Sequence, residues 1–197
     1  MGLDIVFTGV GGQGIVVISD IYCEAALLDG FDVAKAEIHG MAQRGGSITA
    51  YARIGNHVQS PLIERGKSDM ILGFEILETA RSLPMLKKNG TVIMNMKYMP
   101  PATVLQRLAK PVKEDELIDM IRKRALHIYE LDGLALANSL GNNMVMNTVL
   151  LGALSAIPEN LVKKESLEAA ISDRIKEKYI EVNIQAFRLG RECISIG

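Results

Sequence analysis

The sequence predicts an α/β fold: a three-layer α/β/α sandwich, Rossmann-like, built on a mainly parallel but mixed sheet and closed by a helical C-terminal third. Three observations predict it. Short β-branched apolar runs alternate with segments of helical period as far as residue 132, a glycine turn joins the first run to the first helix, and no strand signal remains after Gly133. At 197 residues the chain suits one domain, residues 1–197, with 134–197 a helical extension of it.

The first run, LDIVFTGV (residues 3–10), is almost continuously apolar, as a strand covered on both faces should be. Between residues 13 and 28, apolar side chains return at three- and four-residue spacing, and Asp29-Gly30 ends that helix. FDVAKAEI (31–38) and SITAYARI (47–54) read as two strands joined by too short a connection for a helical crossover, so this part of the sheet should be antiparallel. DMILGF (69–74) is a further buried strand, followed by a helix expected over 75–88 that Asn89-Gly90 stops. TVIMNM, a helix in KEDELIDMIRKRAL and a last strand, HIYELD, complete the alternation. Residues 135–140, 144–157, 164–175 and 178–194 all have helical character, with Pro158 separating the second of these from the third.

Composition narrows the function. Lys and Arg number 22 against 23 Asp and Glu, a net charge of -1 that provides no broad surface for nucleic acid or an anionic membrane. Tryptophan is absent and aromatics are 5%, so stacking platforms are poorly supplied. Cys23 and Cys193 are the only cysteines, too few for an iron–sulfur cluster or a Cys-rich zinc site, and they fit free thiols in a reducing cytoplasm. The apolar start breaks at glycines after a few residues, unlike a signal peptide or membrane span. His57 and His127 have unremarkable neighbours, the ten methionines are spaced for core packing, and no Ser or Cys nucleophile has a nearby base and acid. Neither a catalytic set nor a metal set is expected.

Two glycine-rich stretches stand out. GVGGQG fits G-x-G-x-x-G at Gly9, Gly11 and Gly14, with Gly12 and Gln13 between, in the strand–turn–helix setting such a loop requires. Backbone N–H groups at the following helix start favour a phosphate or carboxylate. Glu37 lies where a dinucleotide site places its ribose acid, about 20 residues beyond the last glycine. A self-contained NAD(P)- or FAD-binding oxidoreductase is therefore one reading. Another is that the glycines only let a strand turn into a closely packed helix. No Gly-Lys-Ser/Thr follows for Walker-type chemistry. LDGLALANSLGNN imitates a thiamine diphosphate motif, but Leu131 replaces its first glycine and Asn142 follows too soon.

The second stretch, EIHGMAQRGGS, sets His39, Gln43 and Arg44 among Gly40, Gly45 and Gly46. Arg offers a fixed fork of donors and His can add one near neutral pH, so the loop suits an anion or a carbonyl. In a mainly parallel sheet, both loops leave the carboxyl edge, where open α/β sheets bind ligands, and they should share one crevice.

The first 55 residues, from GVGGQG through HGMAQRGG, resemble the gamma-type domain of the 2-oxoacid:ferredoxin oxidoreductase family, and HGMAQRGG resembles its indolepyruvate branch. That resemblance implies a non-autonomous subunit of a complex that oxidatively decarboxylates an aryl pyruvate to the aryl-acetyl-CoA while reducing ferredoxin. It implies a large alpha subunit carrying thiamine diphosphate, Mg and 4Fe-4S clusters, with coenzyme A as co-substrate and no cofactor held by this chain alone. An apolar face for that partner, through which the isolated chain self-associates as a homodimer, is also expected. A purely architectural subunit whose loops only pack against the partner is the third reading.

Overall fold

The computed structural model describes residues 2–40 and 46–195. Six strands, β1 (Gly2–Val10), β2 (Asp32–His39), β3 (Ser47–Gly55), β4 (Ser68–Gly73), β5 (Leu86–Asn95) and β6 (His127–Leu131), form one sheet in the order β2-β3-β1-β4-β5-β6. β1, β4, β5 and β6 run parallel, while β3 is antiparallel to both of its neighbours, β1 and β2. The sheet is thus mixed where the short connection between the second and third strands required it.

β1 reads as continuously apolar because both its faces are covered. Leu3, Ile5 and Phe7 pack under α1 (Ile15–Leu28), whereas Val6 joins a second core under α2 (Ile76–Ser82) and α4 (Glu114–Arg124). β3 is covered on one side: Ala50, Ala52 and Ile54 are buried with α1, and Tyr51 and Arg53 face the other way. After β6 come α5 (Gly133–Ser139), α6 (Met146–Ala156), α7 (Lys164–Arg174) and α8 (Ile180–Ser195), which add Leu150, Leu154, Leu167, Ile171 and Phe187 to the α1-side core. No described helix is long and apolar enough to cross a membrane.

The helix expected over 75–88 is shorter. α2 stops at Ser82, Leu83–Met85 form a single 3-10 turn, and Leu86 already opens β5 by pairing with Ser68. Pro84 has no amide hydrogen to carry the helix on. The fully buried Leu86 and the Arg124 guanidinium, which donates to the Leu86 and Lys87 carbonyls, then hold the chain extended. Asn89, at φ 63, makes the bend that the helix was expected to end on. α3 (Ala102–Leu105), a single turn after Pro101, was not legible in the periodicity.

α6 crosses α8 at two glycines. A Cβ on Gly152 would run into the Phe187 carbonyl, and one on Gly190 into the Val149 carbonyl, so the two backbones touch where neither helix has a side chain. Gly152→Ala should therefore force the helices apart despite alanine's better helix propensity. We expect a loss of about 1–3 kcal/mol, read as a lower urea midpoint with an unchanged slope; a neutral or stabilising result would contradict this packing.

Candidate functional site at the carboxyl edge of the sheet

β1 ends and β3 begins side by side, Val10 pairing with Ser47, so the two glycine-rich stretches meet. The Gly11 amide donates to the Gly46 carbonyl at 2.9 Å. Gln43, Arg44 and Gly45 lie outside the described residues. Gly9 faces inward, where a Cβ would stand 2.7 Å from the Phe74 Cβ and 2.5 Å from the Gln13 Oε1. Gly14, at φ 79, is the left-handed residue that starts α1, with Asn147 of α6 against it. Gly12, at φ 99, opens to free space. The motif therefore divides: Gly9 serves packing, and Gly11 to Gly14 shape an accessible turn.

Connections from β1 and β4 lead to opposite faces of the sheet, and the crevice between their carboxyl ends is where ligands enter open α/β sheets. Here it is filled from within. The Gln13 Oε1 accepts from the Val10 amide at 2.7 Å, and its Nε2 donates to the Phe74 carbonyl at 3.2 Å. Asn95 donates to the same carbonyl at 3.2 Å and accepts from the Gly133 amide at 2.9 Å. Beside them the wholly buried Glu75 caps α2, accepting from the Leu77 and Glu78 amides and, at 3.4 Å, from Met99. Burial raises its pKa above the ordinary carboxyl value, with those amide bonds acting against the shift. The Glu75 carboxylate takes the first amides of α2 that a phosphate would use.

Glu37 and His39 lie on β2, and β3 separates that strand from β1. Glu37 is bound to Lys35 at 2.7 Å and to the His39 Nε2 at 3.0 Å; the Lys35 bond first, then His39, lowers its pKa. Lys35 also reaches Asp20 on α1. A dinucleotide's ribose acid must stand on the strand next to the glycine loop. Here that neighbour is antiparallel and the acid already belongs to a surface ion network, so the geometry opposes the NAD(P) or FAD reading. The exposed His39 ring is paired with Glu37 through its Nε2.

The accessible donors gather on the α1 side of Gly14. A cavity of about 430 Å3 is lined by Val17, Asn142, Met144, Asn147, Lys176 and Tyr179, among others. Val17 brings α1 to it, and that helix begins with no side-chain cap hydrogen bond and no acid in its first turn. Among the described residues, the Asn142 and Asn147 amide nitrogens, the Lys176 ammonium and the Tyr179 hydroxyl make no hydrogen bond. This set was not legible in the sequence, where NNMVMN has the spacing of core methionines. Met144 is exposed instead, and the signal was the pair of asparagines at a helix start. Cys23 is buried, its thiol pushed up to about 12 by burial, and Cys193 is exposed. Among the described residues no His, Cys, Asp or Glu cluster could hold a metal.

A model of the pyruvate ferredoxin/flavodoxin oxidoreductase family matches residues 4–193. The chain belongs to that family. Two relatives in it, both described as indolepyruvate oxidoreductase subunit IorB, match along nearly their whole lengths. The one from Methanothermobacter thermautotrophicus is 37% identical over 96% of each chain, and the one from Thermococcus kodakarensis 39% identical over 95% of this chain and 93% of its own. The crystal structure of a keto/oxoacid ferredoxin oxidoreductase gamma subunit from Geobacter sulfurreducens superposes with a TM-score of 0.73, 25% identity and 99% coverage of both chains. The family fold thus spans this chain from end to end, and its members are subunits of oxidoreductases acting on 2-oxo acids.

Gln13→Ala orphans the buried Val10 amide, so stability should fall by about 1–3 kcal/mol in chemical denaturation, whereas His39→Ala, on an exposed pair, should change it by less than about 0.5 kcal/mol. Glu75 supplies a pH test. Its folded pKa is raised, so its stabilising contribution is complete below the unfolded value and fades as pH rises through the folded one. Wild-type stability minus that of Glu75→Gln, measured from pH 4 to 8, should therefore decline with pH; a flat difference would mean the carboxyl is not perturbed.

Proposed function

We propose that this chain is the small, non-autonomous subunit of an indolepyruvate ferredoxin oxidoreductase. The complex oxidatively decarboxylates an aryl pyruvate, passes two electrons to ferredoxin and releases the aryl-acetyl-CoA. One observation carries the reading: the family match spans residues 4–193 and the fold presents a donor-rich edge beside Gly14. Identity of 37 to 39% with indolepyruvate oxidoreductase subunits, and the loop HGMAQRGG, favour the aryl substrate. Thiamine diphosphate, Mg and the 4Fe-4S clusters then belong to the large alpha subunit. Asp132, the acid in the imitation thiamine motif, is spent capping α5 through the Ala135 amide at 2.9 Å, so this chain does not fit the diphosphate-bound metal. Its two free thiols suit a reducing, cytoplasmic complex.

What this chain contributes is binding. Coenzyme A brings phosphates, a polar tail and a purine. The free α1 amides with Lys176 and the Asn142 and Asn147 amides suit the phosphates, while Tyr179, Val17 and Met144 supply apolar surface for the rest. Gly11, Gly12 and Gly14 let that ligand approach the backbone, and the donors of Gln43 and Arg44, with Gly45 and Gly46, are the further contacts we propose toward substrate or partner. The residues bind and orient; no proton or electron transfer is assigned to them.

Reconstitution with the large subunit tests this. The complex should reduce ferredoxin only with indolepyruvate and coenzyme A together, while the separate chain should neither turn over nor bind NAD(H) or FAD. Lys176→Ala should raise the KM for coenzyme A by roughly tenfold or more, the effect of losing one charge-assisted bond. Arg44→Ala should raise the KM for coenzyme A or 2-oxo acid, or lower kcat. Unchanged kinetics in both variants would leave only the architectural role.

A further inference from the structure

On the face opposite α1 the sheet is only partly roofed. α2 packs on β1, β4 and β5, and α4 on α2 and β5. Beyond α2 the outward residues of β2 and β3 keep contact with solvent: Ala34, Ala36 and Ile38 on one strand, Thr49 and Tyr51 on the other. Ile38 is 51% exposed, and Leu62, in the loop bounding this face, is 62% exposed. Between α2 and β3 runs a groove of about 330 Å3, floored by Ser47, Thr49 and Tyr51 and flanked by Arg65 and Arg81.

The polar groups of this groove are unevenly used. Glu78, 5% exposed, accepts from Ser47 at 2.6 Å and from Arg81 at 2.5 Å, which leaves most of the Arg81 fork without a partner. Among the described residues Arg65 has no hydrogen bond or ion pair, and the Thr49 and Tyr51 hydroxyls make none. Two guanidiniums against one carboxylate leave a positive groove, with unspent donors beside exposed aliphatic side chains. Tyrosine and arginine amid apolar surface is the composition of an interface centre.

We infer that this bare face is a docking surface for a segment of the large partner subunit that presents a carboxylate side chain between apolar residues. The inference rests on the proposed function only in supplying that partner. Charge complementarity selects the occupant. A second copy docking through the same patch would set Arg65 and Arg81 against their own counterparts, an isologous and like-charged contact. A small free anion would use the guanidiniums but leave Ile38 and Leu62 exposed. A carboxylate on a polypeptide satisfies both features, and this surface lies on the sheet face opposite the Gly14 cavity.

Calorimetric titration of the large subunit with this chain and its Arg65→Glu and Arg81→Glu variants tests the inference. Arg65→Glu removes no hydrogen bond or ion pair among the described residues, so it should fold as the wild type does, checked by circular dichroism and urea midpoint. Each variant should weaken association by about tenfold or more at low salt, with a smaller loss at high salt, while Lys110→Glu leaves it unchanged. Wild-type affinity in Arg65→Glu, a homodimer of the free chain that Arg65→Glu dissociates, or citrate that saturates the groove and stays bound in the complex would each overturn the docking. If the wild-type pair associates through these arginines but turns over no indolepyruvate, the functional reading falls and the docking surface stands.

Discussion

The Phe74 carbonyl is the joint on which the carboxyl edge of the sheet depends. It ends β4 and accepts two amide side chains: Gln13 from the turn after β1 and Asn95 from the end of β5. Asn95 in turn holds the first amide of α5. Three parts of the edge thus meet at one oxygen and Asn95 ties in a fourth, inside a region where an unpaired polar group would cost about 1–3 kcal/mol. The crevice between β1 and β4 closes because the protein's own amides occupy it. Gly9 is glycine for the same reason, since Gln13 and Phe74 leave no space for a Cβ.

With that crevice closed, the uncommitted polar groups lie elsewhere. The groups that remain uncommitted lie beside Gly14, where α1 begins without a cap and Asn142, Asn147 and Lys176 line a cavity. The β3 strand, inserted antiparallel between β1 and β2, has a second effect. It moves Glu37 away from the glycine turn and brings Gly46 onto Gly11. A motif that matches a dinucleotide loop letter by letter therefore sits in a sheet whose neighbouring strand runs the wrong way for that ligand. The motif is read correctly only together with the strand order.

Much of the architecture was legible because the apolar periods are strong. The continuous run of β1, the alternation in β3 and the too-short connection before it gave the three layers and the mixed sheet. Three things were not legible. Pro84 and the tertiary demand on Leu86 cut short a helix whose period continues past it, since pairing with β4 outweighs local propensity. Gln13 looked like one donor of a binding loop but is consumed in the fold, a distinction that depends on Phe74, distant in sequence. The Asn142, Asn147, Lys176 and Tyr179 set comes from two segments some thirty residues apart, and only the fold brings them to one cavity.

The proposed ligand contacts lie on the α1 side of Gly14 and not in the crevice between β1 and β4. Hydrogen–deuterium exchange of the assembled complex, with and without coenzyme A, separates these directly. Slower exchange is expected at the first amides of α1 and in peptides spanning 142–147 and 174–179, with Val10 and the start of α2 already protected and unchanged. Coenzyme A that instead altered exchange at Val10 and residues 74–78, leaving the other segments untouched, would show that the amide joint opens to admit ligand and would contradict the account.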